Sequence, residues 1–459
     1  MRNARKRKPH RRRAGRVSYY PHHGSWWVYY RDGGTPVRKY AGPDEKVAEQ
    51  VAAQVNAQLA CAAPTLFSFT PTTVPELQRA FLEHHEYVLR SSLATVSRYR
   101  AATEHLVRFS QSSGRPLLAQ DLCADAFVRH LRTIRISPNG HARSVHRPLR
   151  DKGVRFILET CRSMYGFATR QRRLPPYASN PFAGLGGKRI RIEDAKRIFV
   201  FDQQQAVAFF EAADAWTRPV HFLLAMTGMR PGELVSLLIE DIDLTAGWVR
   251  VQNKPELGWR TKTRRERQAP LIEEAGLVLR RVIGARRGGP VFLRPDIRPG
   301  TAPLSGLDLS TLAREAEQRL SVAEAAAGEN LARAHIARLH RGVWRDAGAV
   351  RVDRVRLSFN ETARACGLPE HAMPKSWRHS FATLLQDANV DPLVRQITLG
   401  HAPTIGPESA LGMTSLYTHT RPETHRREII RALQMWPSVL TAARRWLVRP
   451  GSIPSLPKI

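Results

Sequence analysis

Thr227–Leu237 reads TGMRPGELVSL and follows directly on the apolar run His221–Met226, HFLLAM. Its arginine stands among glycines and a proline, in a setting otherwise built for burial. Pro231 disfavours helical geometry at Arg230 and is itself suited to the first turn of a following helix. The stretch therefore predicts a joint between two packed helices, with Arg230 at the joint and its stem buried. A guanidinium there keeps its charge and needs an anion. Glu233 is one partner, and a structural Arg–Glu pair explains the stretch when it is taken alone. A bound anionic ligand is the other explanation, and only the rest of the chain can weigh the two.

The chain has 459 residues, room for about two to four domains. Lys and Arg number 72 against 40 Asp and Glu, giving a formal net charge of +32, while 42% of the residues are hydrophobic. That apolar fraction belongs to folded domains rather than to a basic disordered tail. So large a cationic excess repels itself unless a polyanion binds, and nucleic acid is the commonest. Cys61, Cys123, Cys161 and Cys366 lie far apart, with no CxxC pair and no zinc-ligand spacing. They read as buried thiols of a reducing compartment. No segment is long and apolar enough for a membrane-spanning helix. The N-terminal MRNARKRKPHRRRAGR runs into aromatics rather than an apolar signal core. A basic DNA-binding arm and a solvated tail explain it equally well.

Working outward, residues 19–40 alternate aromatic and polar side chains around the turn signal Asp32-Gly33-Gly34. Asp44 then caps a helix on which Val47, Val51, Val55 and Leu59 recur every four residues. The result is a small sheet-plus-helix module whose Trp26, Trp27, Tyr29 and Tyr30 are divided between two faces. Arg31, Arg38 and Lys39 beside those aromatics make a DNA-facing surface one reading of the outer face. Residues 72–173 show helical spacing in four segments, one of which carries Arg98, Arg100 and Arg108 as either a solvated or a phosphate-gripping face. Pro175–Arg189 is rich in Pro and Gly and reads as an interdomain linker. Beyond Asp194 come a helix capped by Asp202, the Arg230 joint, and strand-like pieces at 247–252, 264–271 and 289–295. An Ala/Arg-rich run, Leu312–Leu339, looks like an insertion, and MWPSVLTAARRWLVRP forms a short amphipathic tail.

Four more stretches have the chemistry of one site. TKTRRERQAPL puts Lys262 on a turn between two strands, and KSWRHSFATLLQ puts Lys375 and Arg378 one helical turn apart. VRQITLGH ends a helix on Gly400 and presents His401; TSLYTHT brings Tyr417 sixteen residues later. Each alone is ordinary. In this order, in so basic a chain, the five stretches resemble the signature of the tyrosine recombinase (phage integrase) family, from about Asp194 to Leu433.

That resemblance implies a multidomain fold, mainly α with small β-sheets. It divides the chain into a basic arm and arm-type DNA-binding module (1–65), a helical, SAM-like core-binding domain (72–186) and an α+β catalytic domain (194–445). It implies Tyr417 as nucleophile, Arg230, Arg378 and His401 on the scissile phosphate, Lys262 as the hairpin lysine and Glu233 as support for Arg230. It further implies a site-specific DNA recombinase working through a 3′-phosphotyrosyl link without metal, ATP or other cofactor. The partners would be double-stranded DNA and further copies of the chain, dimer to tetramer, with accessory DNA-bending or directionality factors; no membrane is involved, and the place is the cytoplasm. Two departures stand out. Lys375 occupies the position where the family usually has histidine, and the loop between His401 and Tyr417 is longer than usual, serving either movement of the nucleophile or protomer contacts. A type IB topoisomerase and a non-catalytic DNA-binding regulator are the alternative readings; a two-metal integrase is disfavoured by the full alternative set of residues.

Overall fold

The computed structural model describes residues 10–61, 65–67, 71–112, 114, 116–137, 145–175, 178–185, 190–195, 197–298, 300–400 and 420–448. It forms two compact units, residues 1–195 and 196–459.

The first unit opens with an antiparallel sheet in sequence order, β1 (Arg12–Ala14), β2 (Val17–His22), β3 (Ser25–Asp32) and β4 (Thr35–Gly42). Asp32 faces Thr35, so Gly33 and Gly34, both at positive φ, close a two-residue turn of the kind that matches strand twist. Helix α1 (Glu45–Ala60) is capped by Asp44, whose carboxylate accepts from the Lys46 and Val47 amides. The sheet turns Val17, Tyr19, Val28 and Tyr30 onto α1. The stripe they meet is Ala48, Ala52 and Val55, with Val51 and Leu59 packed beside it; of the expected series only Val47 is exposed. A four-residue repeat drifts about 40° per step around a 3.6-residue helix, so Val47 is carried off the buried face.

Four helices follow: α2 (Val74–Glu83), α3 (Leu93–Gln111), α4 (Ala124–Thr133) and α5 (Asp151–Arg170). A π-turn over His84–Val88 extends α2, and a two-stranded ribbon, β5 (Arg135–Ile136) with β6 (Arg147–Pro148), precedes α5. Their common core centres on Phe81, Leu106, Phe127, Leu158 and Tyr165. The Pro175–Arg189 stretch is not simply a linker. Phe182 is fully buried against the rings of Phe127 and Tyr165, and Asn180 donates to the Arg162 carbonyl. An aromatic anchor in a Pro/Gly-rich segment seals the end of the helical core.

The second unit begins with α6 (Gln203–Ala212), capped reciprocally by Asp202 and Gln205, then α7 (Thr217–Thr227) and α8 (Pro231–Leu234). A three-stranded antiparallel sheet follows: β7 (Ile242–Asp243), β8 (Trp248–Val251) and β9 (Arg267–Pro270). Next come α9 (Glu273–Ile283), α10 (Leu309–Ala327), α11 (Arg333–Asp346), α12 (Val352–Ala365), α13 (Ser376–Asp387), α14 (Pro392–Leu399), α15 (Pro422–Leu433) and α16 (Pro437–Val448). The 289–295 piece forms single bridges, Pro290 to Leu238 and Leu293 to Ala349, rather than a strand. Trp377 sits at the centre of the core, stacked on Phe201 at 3.7 Å and on Phe210 at 5.0 Å. The amphipathic tail is part of this core: α16 buries Val439, Leu440 and Trp446 in it.

Two thiols differ from the sequence reading. Cys161 is buried and Cys366 half-buried, but Cys61 and Cys123 are exposed. Cys61 caps the C-terminal end of α1 and Cys123 the N-terminal end of α4, where the chain leaves the packed face. Among the described residues no helix is long and apolar enough to cross a membrane.

Candidate active site

Helix α7 ends on Gly228, left-handed at φ 61, and Arg230 takes the extended conformation that Pro231 requires of its predecessor. The joint expected from sequence is there. Arg230 Nη1 donates to Glu233 Oε1 at 2.8 Å, and the Arg230 amide donates to Glu233 Oε2 at 2.8 Å. The Arg230 side chain remains 27% exposed while that of Glu233 is 4% exposed. The carboxylate is therefore an internal anchor, and one edge of the guanidinium still faces outward.

Glu233 has a second partner that the motifs do not reveal. Arg267, at the start of β9, donates Nη2 to Glu233 Oε2 at 2.6 Å and Nη1 to Oε1 at 3.1 Å, and its Nε to the Thr398 carbonyl at 2.9 Å. Burial opposes the Glu233 charge, but Arg267 and then Arg230 outweigh it and hold the carboxyl below its ordinary range. The available signal was alternation: in RQAP the pattern turns Arg267 and Ala269 inward and Gln268 outward. An arginine at an inward strand position implies a buried acid opposite.

Arg378 lies in the first turn of α13 and is 5% exposed. Its Nη1 donates to the Gly228 carbonyl at 2.8 Å and its Nη2 to the Leu399 carbonyl at 2.5 Å. Two helix C-termini, of α7 and α14, thus aim their negative ends at one guanidinium. Burial and then the neighbouring Arg230 bring its pKa down to about 10, so it remains charged at neutral pH. Arg230, Arg267 and Arg378 share a single carboxylate, Glu233, among the groups that act on Arg378. Those four groups carry a net charge of about +2.

Lys375 stands at the N-cap of α13 with its side chain exposed. His379, one turn on, is held below its ordinary pKa by burial, then by Lys375 and Arg378. Lys262 is exposed on the turn between β8 and β9 that its sequence context predicts, and Arg264 N donates to Thr261 O across that turn at 3.0 Å. The structure thus brings Arg230, Glu233 and Arg378 together, adds Arg267, and sets Lys375 at the N-cap of the helix that carries Arg378 and Lys262 on the β8–β9 turn. His401 and Tyr417 lie outside the described residues, which reach Gly400 and resume at Thr420.

The remaining candidates are in the first unit. The register places Trp27 opposite Tyr20 and Tyr40, and Tyr29 opposite Arg38, all on the sheet face away from α1. There the Arg38 guanidinium lies over Trp27 at 5.2 Å and Tyr20 at 5.5 Å, and Arg11 lies over Tyr20 at 4.8 Å. Arg31, opposite Pro36, shares that face; Lys39, opposite buried Val28, belongs to the other. On α3 the three arginines do not form one face. Arg98 and Arg100 point about 200° apart; Arg98 lies over Phe156 at 4.5 Å, and Arg108 pairs with Glu104 at 3.3 Å.

The sequence model of the phage integrase family matches residues 188–424, more than half of the chain. The chain belongs to the phage integrase family. It is an enzyme of site-specific DNA recombination, of the tyrosine recombinase type. A curated relative, tyrosine recombinase XerC of Shigella flexneri serotype 5b (strain 8401), is 24% identical over 333 residues, covering 71% of this integrase-family chain and 85% of the relative. Solved structures similar to it include a lambda integrase dimer bound to a COC′ core site, with TM-score 0.45 and 14% identity over 84% of this chain and 92% of that one. Another is the Tn1549 transposon integrase in complex with transposon right end DNA, with TM-score 0.49 and 16% identity over 78% of this chain and 99% of that one.

Proposed function

We propose that this recombinase cuts and rejoins double-stranded DNA at a defined site, with Tyr417 attacking the scissile phosphate. The observation that carries the residue assignment is the anchored pair of guanidiniums, Arg230 held by Glu233 and Arg378 held by the Gly228 and Leu399 carbonyls. Cations fixed by the fold before substrate arrives stabilise developing charge without reorganising. Arg230 and Arg378 clamp the non-bridging oxygens of the phosphate, His401 adds a donor, and Lys375 supplies a donor where the family has histidine.

A tyrosine with pKa ~10 is ionised to about one part in a thousand at neutral pH, and clustered cations raise that fraction. The Tyr417 oxygen forms a bond to phosphorus as the bond to the 5′-oxygen breaks. That oxygen, a poor leaving group as a bare alkoxide, leaves with a proton from the Lys262 ammonium. The 3′-phosphotyrosyl link keeps the energy of the broken ester, so attack by another 5′-hydroxyl reverses the step. We assign the arm-type module to residues 1–65, the core-binding domain to 72–186 and the catalytic domain to 194–445. The enzyme acts in the cytoplasm as a dimer to tetramer on DNA, with accessory bending or directionality factors.

The test uses a pool of nicked duplexes with random cores. Adducts that survive denaturant are recovered and their DNA sequenced. Wild type is expected to form an adduct at one preferred sequence, with or without EDTA. Tyr417→Phe is expected to bind that duplex and form none, because Tyr417 is the one tyrosine after His401. An adduct on the Phe variant, or none on wild type, refutes the assignment.

A further inference from the structure

We propose that the α10–α11 hairpin is a brace that sets the position of the Lys262 ammonium, with Trp344 and His340 as positioning residues. The proposal rests on the reading of Lys262 as the acid that protonates the leaving oxygen. The turn bearing Lys262 lies in the long excursion of residues 252–266 between β8 and β9. A surface loop of that length left to itself would sample many positions. A proton donor displaced by about 1 Å loses on the order of a hundredfold in rate, so something must hold the excursion still.

The structure supplies a continuous chain of contacts from α11 to the turn. Trp344 Nε1 donates to the Leu257 carbonyl at 3.0 Å. His340 lies so close over Gly258 that a Cβ there would come within 2.4 Å of its Nδ1, and Gly258 holds φ +69 to make the bend. Leu257 is buried with Leu238, Leu312, Ala316, Val343 and Ala347 in a small core separate from the main one. The hairpin is itself locked, Arg319 of α10 reaching Asp346 of α11 at 2.7 Å.

From that grip the constraint passes along the loop. Lys254 and Trp259 exchange both backbone hydrogen bonds, at 2.9 and 3.0 Å, closing the neck. The Lys254 ammonium is buried on Asp241 at 2.8 Å, so the neck is also tied to the strand side. Asn253 then spans the turn, its Oδ1 accepting from Thr261 N at 2.9 Å and its Nδ2 donating to Arg264 O at 3.0 Å. Lys262 stands between those two points. No step in the chain requires DNA, so the turn that carries the acid is set before substrate arrives.

The experiment measures single-turnover cleavage by the full chain on the preferred duplex that the adduct selection yields. It is made in two forms, one with the ordinary 5′-oxygen leaving group and one with sulfur in its place. A thiol of pKa ~8.5 leaves without a proton donor, whereas the alcohol does not. Trp344→Ala is expected to slow the oxygen duplex about 10- to 100-fold and the sulfur duplex by less than about threefold, the pattern also expected of Lys262→Ala. Trp344→Phe, which loses the hydrogen bond but keeps an aromatic ring in the small core, should show the same contrast with a slowing of about threefold, and it serves if the alanine variant does not fold. Equal slowing on both duplexes, or a wild-type rate on the oxygen duplex, overturns the brace. If Lys262→Ala is itself slowed equally on both, the acid role falls and the brace with it. If Lys262→Ala is rescued by sulfur and neither Trp344 variant is, the brace alone falls.

Discussion

Arg267→Met tests whether Glu233 can hold Arg230 by itself. The substitution keeps most of the side-chain volume but removes two hydrogen bonds to Glu233 and one to the Thr398 carbonyl. Both members of the pair are 4% exposed, so solvent cannot replace what is removed. Removing one partner from such a pair costs about 3–5 kcal/mol, most of it the charge left behind. Glu233 retains Arg230, which is partly exposed, so we expect the lower end, about 3 kcal/mol. For a unit of this size that lowers its melting point by roughly 6–12 °C.

The sign of the pH dependence follows from the same geometry. In the wild type Glu233 is held below its ordinary pKa, so the pair contributes fully above the unfolded value of about 4.3 and is lost as pH falls through the folded one. In the variant, burial dominates and pushes the carboxyl up, so folding takes up a proton and stability declines as pH rises through that window. The gap between the two proteins should be widest at pH 7–8 and narrow toward pH 5. Denaturant melts at several pH values measure it, and single-turnover cleavage should fall as Glu233, no longer fixed by Arg267, holds Arg230 less rigidly. A loss under about 1 kcal/mol at pH 7.5, or a gap that widens on acidification, refutes the reasoning.

Lys375→His is expected to keep or improve cleavage while Lys375→Ala slows it, on the proposal that this side chain donates to the phosphate; pH–rate profiles of the three proteins decide, and equal rates for wild type and Ala make Lys375 a bystander. Gly228→Ala should destabilise by about 2–4 kcal/mol, adding left-handed strain to a Cβ only 2.4 Å from the Phe381 ring. Because the Gly228 carbonyl also anchors Arg378, the cleavage rate of the protein that remains folded should fall too; a melting point within 2–3 °C of wild type counts against this. A chain beginning at Pro71 should still cleave a short site but bind long duplexes with a shallower salt dependence, by about 0.9 in the log–log slope for each phosphate that the truncated chain no longer neutralises. An unchanged slope with a large loss of thermal stability assigns the N-terminal module a packing role instead.

What the sequence determined by itself was whatever local rules control. Asp44 and Asp202 cap their helices because a carboxylate before a helical run meets free amides a few residues away. The Arg230 joint follows from Pro231 and the left-handed Gly228, and the Lys262 turn from two short strands that must reverse. The same rules failed where burial depends on distant partners. Val47, the first of the α1 series, was off the packed face while alanines took its place, and a segment that looked like a linker carried Phe182 into a core.

The anchoring of the site was decided only in three dimensions. The Gly228 carbonyl reaches Arg378 from 150 positions away and Glu233 reaches Arg267 from 34. Trp344 grips Leu257 across 87. Nothing in a window of a few residues encodes such pairings, because each partner satisfies its own local rule whether or not the other is present. A buried charge must find an opposite one, and which one it finds is settled when the helix ends and strands converge.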